Sequence, residues 1–147
     1  SFICPSMQDQ PEAMRWVERL KISDHIRLLP YLSQEELWEL FLRSQITVSL
    51  TTHDGTPNTL LEAMACGCFP IVGDIESLRE WIVPGVNGLL VEPDKPQDLA
   101  EALLLALENN TLRSKAAEIN MQQVRERAEV NLVRSQVEVF YQRLTAK

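Results

Sequence analysis

Long apolar runs are absent from this chain. The longest uninterrupted one, residues 102–107, has six members, far short of the roughly 20 that cross a bilayer, so no transmembrane segment is expected. No secretory leader opens it either, because Pro5 and Asp9 follow closely on Phe2, Ile3 and Cys4. Cysteine is scarce: Cys4, Cys66 and Cys68 form an odd set, and Cys66-Gly67-Cys68 is too tight for the two-residue-spaced pair of a zinc site. We read all three as small buried residues in a reducing, cytoplasmic compartment, since no second motif supports a redox thiol. Histidine is limited to His25 and His53, isolated from one another, which reads as surface or structural use rather than ligation. Basic residues are the minority, 14 against 21 acidic, and they are not clustered. The resulting net charge of -7 repels phosphate backbones and anionic lipid, so nucleic acid is not an expected partner.

What is present is an ordinary globular composition. At 45% hydrophobic and 24% charged residues the chain is too apolar for disorder and too evenly mixed for a fibre. Its 147 residues suffice for one domain with a real core. Residues 2–5 read as a short buried strand ending at a proline. A helix follows, with Pro11 in its first turn and Met14, Val17 and Leu20 on one face. Residues 26–29 read as a second strand, stopped by Pro30. Ser33 and Glu36 form a capping box that opens a helix whose buried face is Leu37, Leu40 and Phe41.

Residues 46–50 and 69–72 are β-branched, apolar strands with a helix between them. Parallel strands need such a crossover, and its right-handed form places both in one sheet. A short helix is expected over 76–82. Residues 84–88 are turn chemistry before a last strand at 89–91. From Pro96 onward, to about residue 145, the chain is helical, with Leu99, Ala102, Leu103 and Ala106 on one side, then amphipathic segments at 112–127 and 132–144. The fold class is α/β: an open parallel sheet of the Rossmann-like type covered by helices on both faces.

In such sheets ligands bind beyond the carboxyl ends of the strands, where loops lead into helix amino termini. The stretch 51–74, TTHDGTPNTLLEAMACGCFPIVGD, lies there. Asp54-Gly55 makes a turn, Thr56 is the expected N-cap and Pro57 the first helical residue. The amides of Asn58 and Thr59 then emerge unpaired at the positive end of the helix dipole, where a diphosphate fits. Glu62 is the only charged side chain between Asp54 and Asp74, and its apolar neighbours predict a helix buried nearly all round. A carboxylate there needs donors. It shares a face with Asn58 and Thr59, so a ribose diol beside the diphosphate would supply two; pairing with an Arg or Lys, or reaching solvent, is the alternative.

Asp54, seven residues, then Glu62-Ala63-Met64-Ala65-Cys66-Gly67 resembles the paired-acid motif of the retaining glycosyltransferases of GT-B fold, group 1 type (glycosyltransferase family 4). Residues 25–32 with Glu35-Glu36-Leu37 resemble that family's base-binding strand and loop, and residues 84–91 its Gly-x-x-Gly-hydrophobic segment. The resemblance covers nearly the whole chain. It implies that residues 1–147 are one nucleotide-sugar-binding domain, the carboxyl-terminal half of a GT-B fold lacking its first strand. Glu62 would bind the ribose hydroxyls, and amides of the Gly55, Thr56, Asn58 and Thr59 region the phosphates. Tyr31 and Leu32 would contact the base, and Asp54 the hydroxyls of the transferred sugar. Asp54 and Glu62 are thus the catalytic candidates.

Three departures from the family pattern stand out. Asp54 is shorter than the usual Glu, Pro57 stands where glycine is frequent, and residues 6–9 replace a glycine-rich turn.

The implied reaction is transfer of a sugar with retention, from a nucleotide-diphosphate sugar to an acceptor such as a glycan or lipid-linked sugar. It requires no separate cofactor and no metal, the motif lacking paired aspartates for a divalent ion. The family's cationic residues and acceptor half precede the equivalent of residue 2, so these residues are expected to be inactive alone, and the full-length protein to work in the cytoplasm, peripherally at the inner face of the membrane. Alternatives are a noncatalytic glycosyltransferase-like binding or regulatory module, a sugar-nucleotide epimerase and an unrelated doubly wound domain.

Overall fold

The structure, a computed structural model, describes residues 1–53 and 55–145. The chain forms two compact units, Ser1–Glu39 and Leu40–Lys147. In the first, β1 (Phe2–Cys4) and β2 (Ile26–Leu28) pair in parallel, with Phe2 opposite Ile26 and Cys4 opposite Leu28. Their crossover is α1 (Pro11–Leu20), which has proline in its first turn and closes on Lys21 in the left-handed conformation, φ 56°. The sequence pattern carries the second strand to residue 29. It ends at Leu28, because the Leu29 carbonyl turns to accept from the amides of Met7 and Gln8, both at 3.0 Å. Helix α2 (Gln34–Leu42) opens on the expected capping box: Ser33 Oγ accepts from the Glu36 amide at 3.3 Å, and Glu36 Oε2 from the Ser33 amide at 2.7 Å. Its expected buried face is half-buried, with Leu37, Leu40 and Phe41 all partly open.

The second unit holds a parallel sheet in the order β3 (Ile46–Ser49), β4 (Phe69–Gly73), β5 (Leu89–Val91). Helix α3 (Asn58–Ala65) connects the first two strands and a short α4 (Glu76–Arg79) the last two. Helices α5 (Pro96–Glu108), α6 (Asn110–Arg127) and α7 (Val130–Thr145) follow. All five residues of β4 are buried, and their alternation distributes the core. Phe69 and Ile71 meet Val91, Ala102, Ala106 and Ala116 on one face, while Val72 meets Leu60, Met64, Leu78, Trp81 and Ile82 on the other. Helices therefore cover both faces, and each large buried apolar side chain contributes about 1.5–3 kcal/mol.

The pattern also extends α4 to residue 82, but it stops at Arg79. The Trp81 carbonyl accepts from Asn87 Nδ2 at 2.8 Å, and Pro84 has no N–H to continue the helix. Of the cysteines, only Cys68 is fully buried; Cys4 and Cys66 are half-buried, and all three are free thiols. Burial, with a smaller contribution from Cys66, pushes the Cys68 thiol up to about 12. Among the described residues no helix is long and apolar enough to cross a membrane.

Candidate functional site

The loop after β3 leads into α3, but its cap differs from the sequence reading. Pro57, with φ -66° and ψ 128°, is the N-cap, and among the described residues no side chain caps the helix. Thr56 is used elsewhere: its Oγ1 accepts from the indole Nε1 of Trp81 at 3.1 Å. Trp81 is only 7% exposed, and a buried indole N–H needs an acceptor, which outweighs a local cap. The first backbone bonds of α3 come from the Leu60 and Leu61 amides to the Pro57 carbonyl. The amides of Asn58 and Thr59 precede them, at the exposed positive end of the helix.

Glu62 lies one turn further on. The helix is not buried all round: Leu60, Ala63 and Met64 face the core, Leu61 and Glu62 are half-buried, and Asn58, Thr59 and Ala65 are exposed. The core covers a single side, because the helix packs on the sheet and α6 and leaves its opposite face open. The Glu62 carboxylate therefore reaches partly open surface, and the case for it as a ligand group rests on its position four residues after Asn58 rather than on the cost of burying it. Its charge adds to burial in pushing the half-buried Cys66 thiol above its ordinary range.

Behind this loop stands a network that the sequence reading missed. The side chain of Asn87, 2% exposed, accepts from the Val83 amide at 2.7 Å, and its Nδ2 faces the Trp81 carbonyl and Asn120 Oδ1 at 2.8 and 2.9 Å. Asn120, fully buried on α6, returns a bond to the Asn87 carbonyl at 2.9 Å. Arg127 lies 4.1 Å over the Trp81 ring and donates to the Glu80 carbonyl at 2.9 Å. The available signal was Trp81 itself, a tryptophan in an apolar run whose N–H had to end on some acceptor. At the carboxyl end of β4, Arg79 donates twice to Asp74, at 2.6 and 3.0 Å, and holds its carboxyl below the usual carboxylate range. An open groove of about 410 Å³ lies alongside, lined by Thr52, His53, Ile75, Glu76, Ser77 and Glu80. His53 is exposed, with Nδ1 3.3 Å from Thr52 Oγ1.

Gly55, Thr56, Asn58, Thr59 and Glu62 thus lie on one loop and helix of the second unit. Asp54 lies outside the described residues. Tyr31 and Leu32 belong to the first unit, where Tyr31 is 85% exposed and Leu32 half-buried. In that unit Ser6 adopts φ 61°, a left-handed backbone that glycine takes most easily, and its amide bonds the Pro30 carbonyl at 3.0 Å. This ties the loop at 6–9 to the strand end preceding Tyr31.

Residues 6–123 match the family model described as glycosyl transferases group 1. The D-inositol 3-phosphate glycosyltransferase of Geodermatophilus obscurus is 33% identical over 110 residues, covering 72% of this chain and 24% of that protein. The chain spans 19 to 24% of the length of the curated relatives it matches first. Among solved structures, the C-terminal domain of the glycosyl transferase group 1 family protein LpcC from Francisella tularensis superposes with a TM-score of 0.75 at 25% identity, over 84% of this chain and 65% of that one. Anabaena HepE, solved in complex with UDP and glucose, gives 0.85 at 20% identity, over 95% of this chain and 40% of that one.

Proposed function

The chain belongs to the glycosyl transferases group 1 family, and from that membership we propose that it is the donor-binding part of a retaining glycosyltransferase that takes a sugar from a nucleotide-diphosphate sugar. The observation that carries the reading is Glu62, half-buried one turn behind the exposed amino end of α3. In this arrangement the diphosphate sits on the amides of Asn58 and Thr59, and the ribose hydroxyls donate to the Glu62 carboxylate. Asp54 orients the transferred sugar. UDP in the Anabaena structure supports a nucleoside diphosphate as the kind of ligand.

Catalysis in this scheme is mainly charge stabilisation on the leaving diphosphate and placement of the acceptor on the face it leaves. The α3 dipole contributes about 0.3–1 kcal/mol of that, so the larger share falls to cationic groups of the whole enzyme. The proposed reaction uses no divalent ion, because the motif lacks paired aspartates to hold one. The acceptor offers a hydroxyl, as a glycan or lipid-linked sugar does.

The test is a thermal-shift panel of UDP, GDP, ADP and their sugar conjugates on the full-length protein. One nucleotide series should raise the melting temperature, Glu62→Ala should abolish that rise, and Asp54→Ala should remove only the increment due to the sugar. A rise that survives intact in Glu62→Ala overturns the assignment.

A further inference from the structure

Trp81 is held at three points, its ring, its backbone carbonyl and its indole N–H. Its ring lies under the Arg127 guanidinium at 4.1 Å, its carbonyl accepts from Asn87 Nδ2 at 2.8 Å and Gln123 Nε2 at 3.2 Å, and its Nε1–H donates to Thr56 Oγ1 at 3.1 Å. An indole N–H can only donate, so the Thr56 oxygen is fixed as the acceptor of that bond. A hydroxyl has one proton, and that proton is then presented to the next acceptor rather than consumed at Trp81. Thr56 is half-exposed and directly precedes the cap of α3. Pro57 beside it has no N–H, so the hydroxyl adds a donor at a point of the loop where one backbone amide is missing.

We propose that Trp81 is a positioning residue: it orients the Thr56 hydroxyl as a hydrogen-bond donor toward the diphosphate of the bound nucleotide sugar. The buried amides of Asn87 and Asn120 hold Trp81 in place for this, which links the last turns of α6 to the donor loop across 25 residues between Thr56 and Trp81. The inference rests on the donor-site reading above and adds to it a side-chain donor and the residue that aims it.

The experiment measures nucleoside diphosphate affinity, with UDP and GDP as probes, in the full-length protein and in Thr56→Val, Trp81→Phe and the double variant, by titration calorimetry. Thr56→Val keeps the side-chain shape, and Trp81→Phe keeps a ring for Arg127 but has no N–H. Each single variant should lose about tenfold in diphosphate affinity, the size of one hydrogen bond to a charged group. The double variant should be no weaker than either single one, and competition by the matching nucleoside, which has no phosphate, should be unchanged throughout.

Additive losses, or a Trp81→Phe protein that binds like wild type, overturn the positioning role. Should Trp81→Phe fail to fold, Thr56→Val decides alone, and unchanged diphosphate affinity overturns the proposal. Glu62→Ala separates the two layers. If it abolishes binding while Thr56→Val and Trp81→Phe bind as wild type, only the inference about Trp81 falls; if the wild type binds no nucleoside diphosphate, the donor-site reading falls with it.

Discussion

Replacing Asn87 by alanine should destabilise the second unit far more than a turn residue ordinarily does. The substitution orphans the Val83 amide, now bonded at 2.7 Å, and Asn120 Oδ1, now bonded at 2.9 Å, and it removes one of the two donors to the Trp81 carbonyl. Asn120 is fully buried, so water cannot readily replace the bond lost at its Oδ1, whereas Val83 is exposed and water takes up part of what its amide loses. A buried polar group left unpaired costs about 1–3 kcal/mol, which makes the expected loss about 2 kcal/mol, most of it at Asn120. For a unit of this size that is a fall of roughly 10 °C in melting temperature. Urea denaturation followed by Trp fluorescence in a Trp16→Phe, Trp38→Phe background reports the transition where Trp81 sits, with Asn110→Ala on the exposed start of α6 as the control. A loss below about 1 kcal/mol, no larger than that of the control, would refute the view that these amides form a satisfied buried network.

Gly88→Ala should cost about 1–3 kcal/mol, because the added Cβ meets both Pro70 Cγ and the Pro70 carbonyl at 2.8 Å, whereas Gly55→Ala, with nothing within 4 Å, should leave the melting temperature unchanged. Maleimide labelling of the folded protein near neutral pH should modify Cys4 and Cys66 well before Cys68, whose thiol is buried and pushed up to about 12; mass mapping showing Cys68 labelled first would contradict the packing of β4. The capping box should show a pH signature. Hydrogen bonds from Ser33 lower the Glu36 carboxyl from its ordinary value, so its contribution is full above the usual carboxylate range and disappears as pH falls through the depressed folded value. NMR titration of Glu36 should accordingly move only part of the way back toward the ordinary range in Ser33→Ala, because the Ser33 amide, the larger cause, remains.

What could be read in the sequence was whatever local chemistry decides. The Ser33–Glu36 box spans three residues and needs no tertiary partner, so its hydrogen bonds follow from the sequence. Pro11 and Pro96 likewise mark helix starts whatever surrounds them. Alternation of strands and helices fixed the parallel pairing, and the loop that carries the sequence's site candidates does run from β3 into α3. Thr56 shows where this kind of reading stops: locally it is a good N-cap, but its oxygen goes to Trp81, a partner 25 residues away that no spacing rule points to. Asn87 and Asn120 are 33 residues apart, and an Asn in a glycine turn reads as turn chemistry until its partner on α6 is known. The apolar neighbours of Glu62 overstated its burial, because Ala65 and Leu61 also suit a half-covered face.

The donor site as proposed depends on the Glu62 carboxylate gripping the ribose of a nucleotide donor. Its most direct test is a binding cycle on the full-length protein, crossing Glu62→Ala with removal of the ribose hydroxyls from the nucleoside diphosphate that binds it. Two hydrogen bonds to a carboxylate correspond to about 3 kcal/mol, or roughly a hundredfold in affinity. The wild type should lose that factor with the 2′,3′-dideoxy ligand, and Glu62→Ala should bind both ligands equally weakly. A Glu62→Ala protein that still prefers the hydroxylated ligand by the full factor would contradict the account.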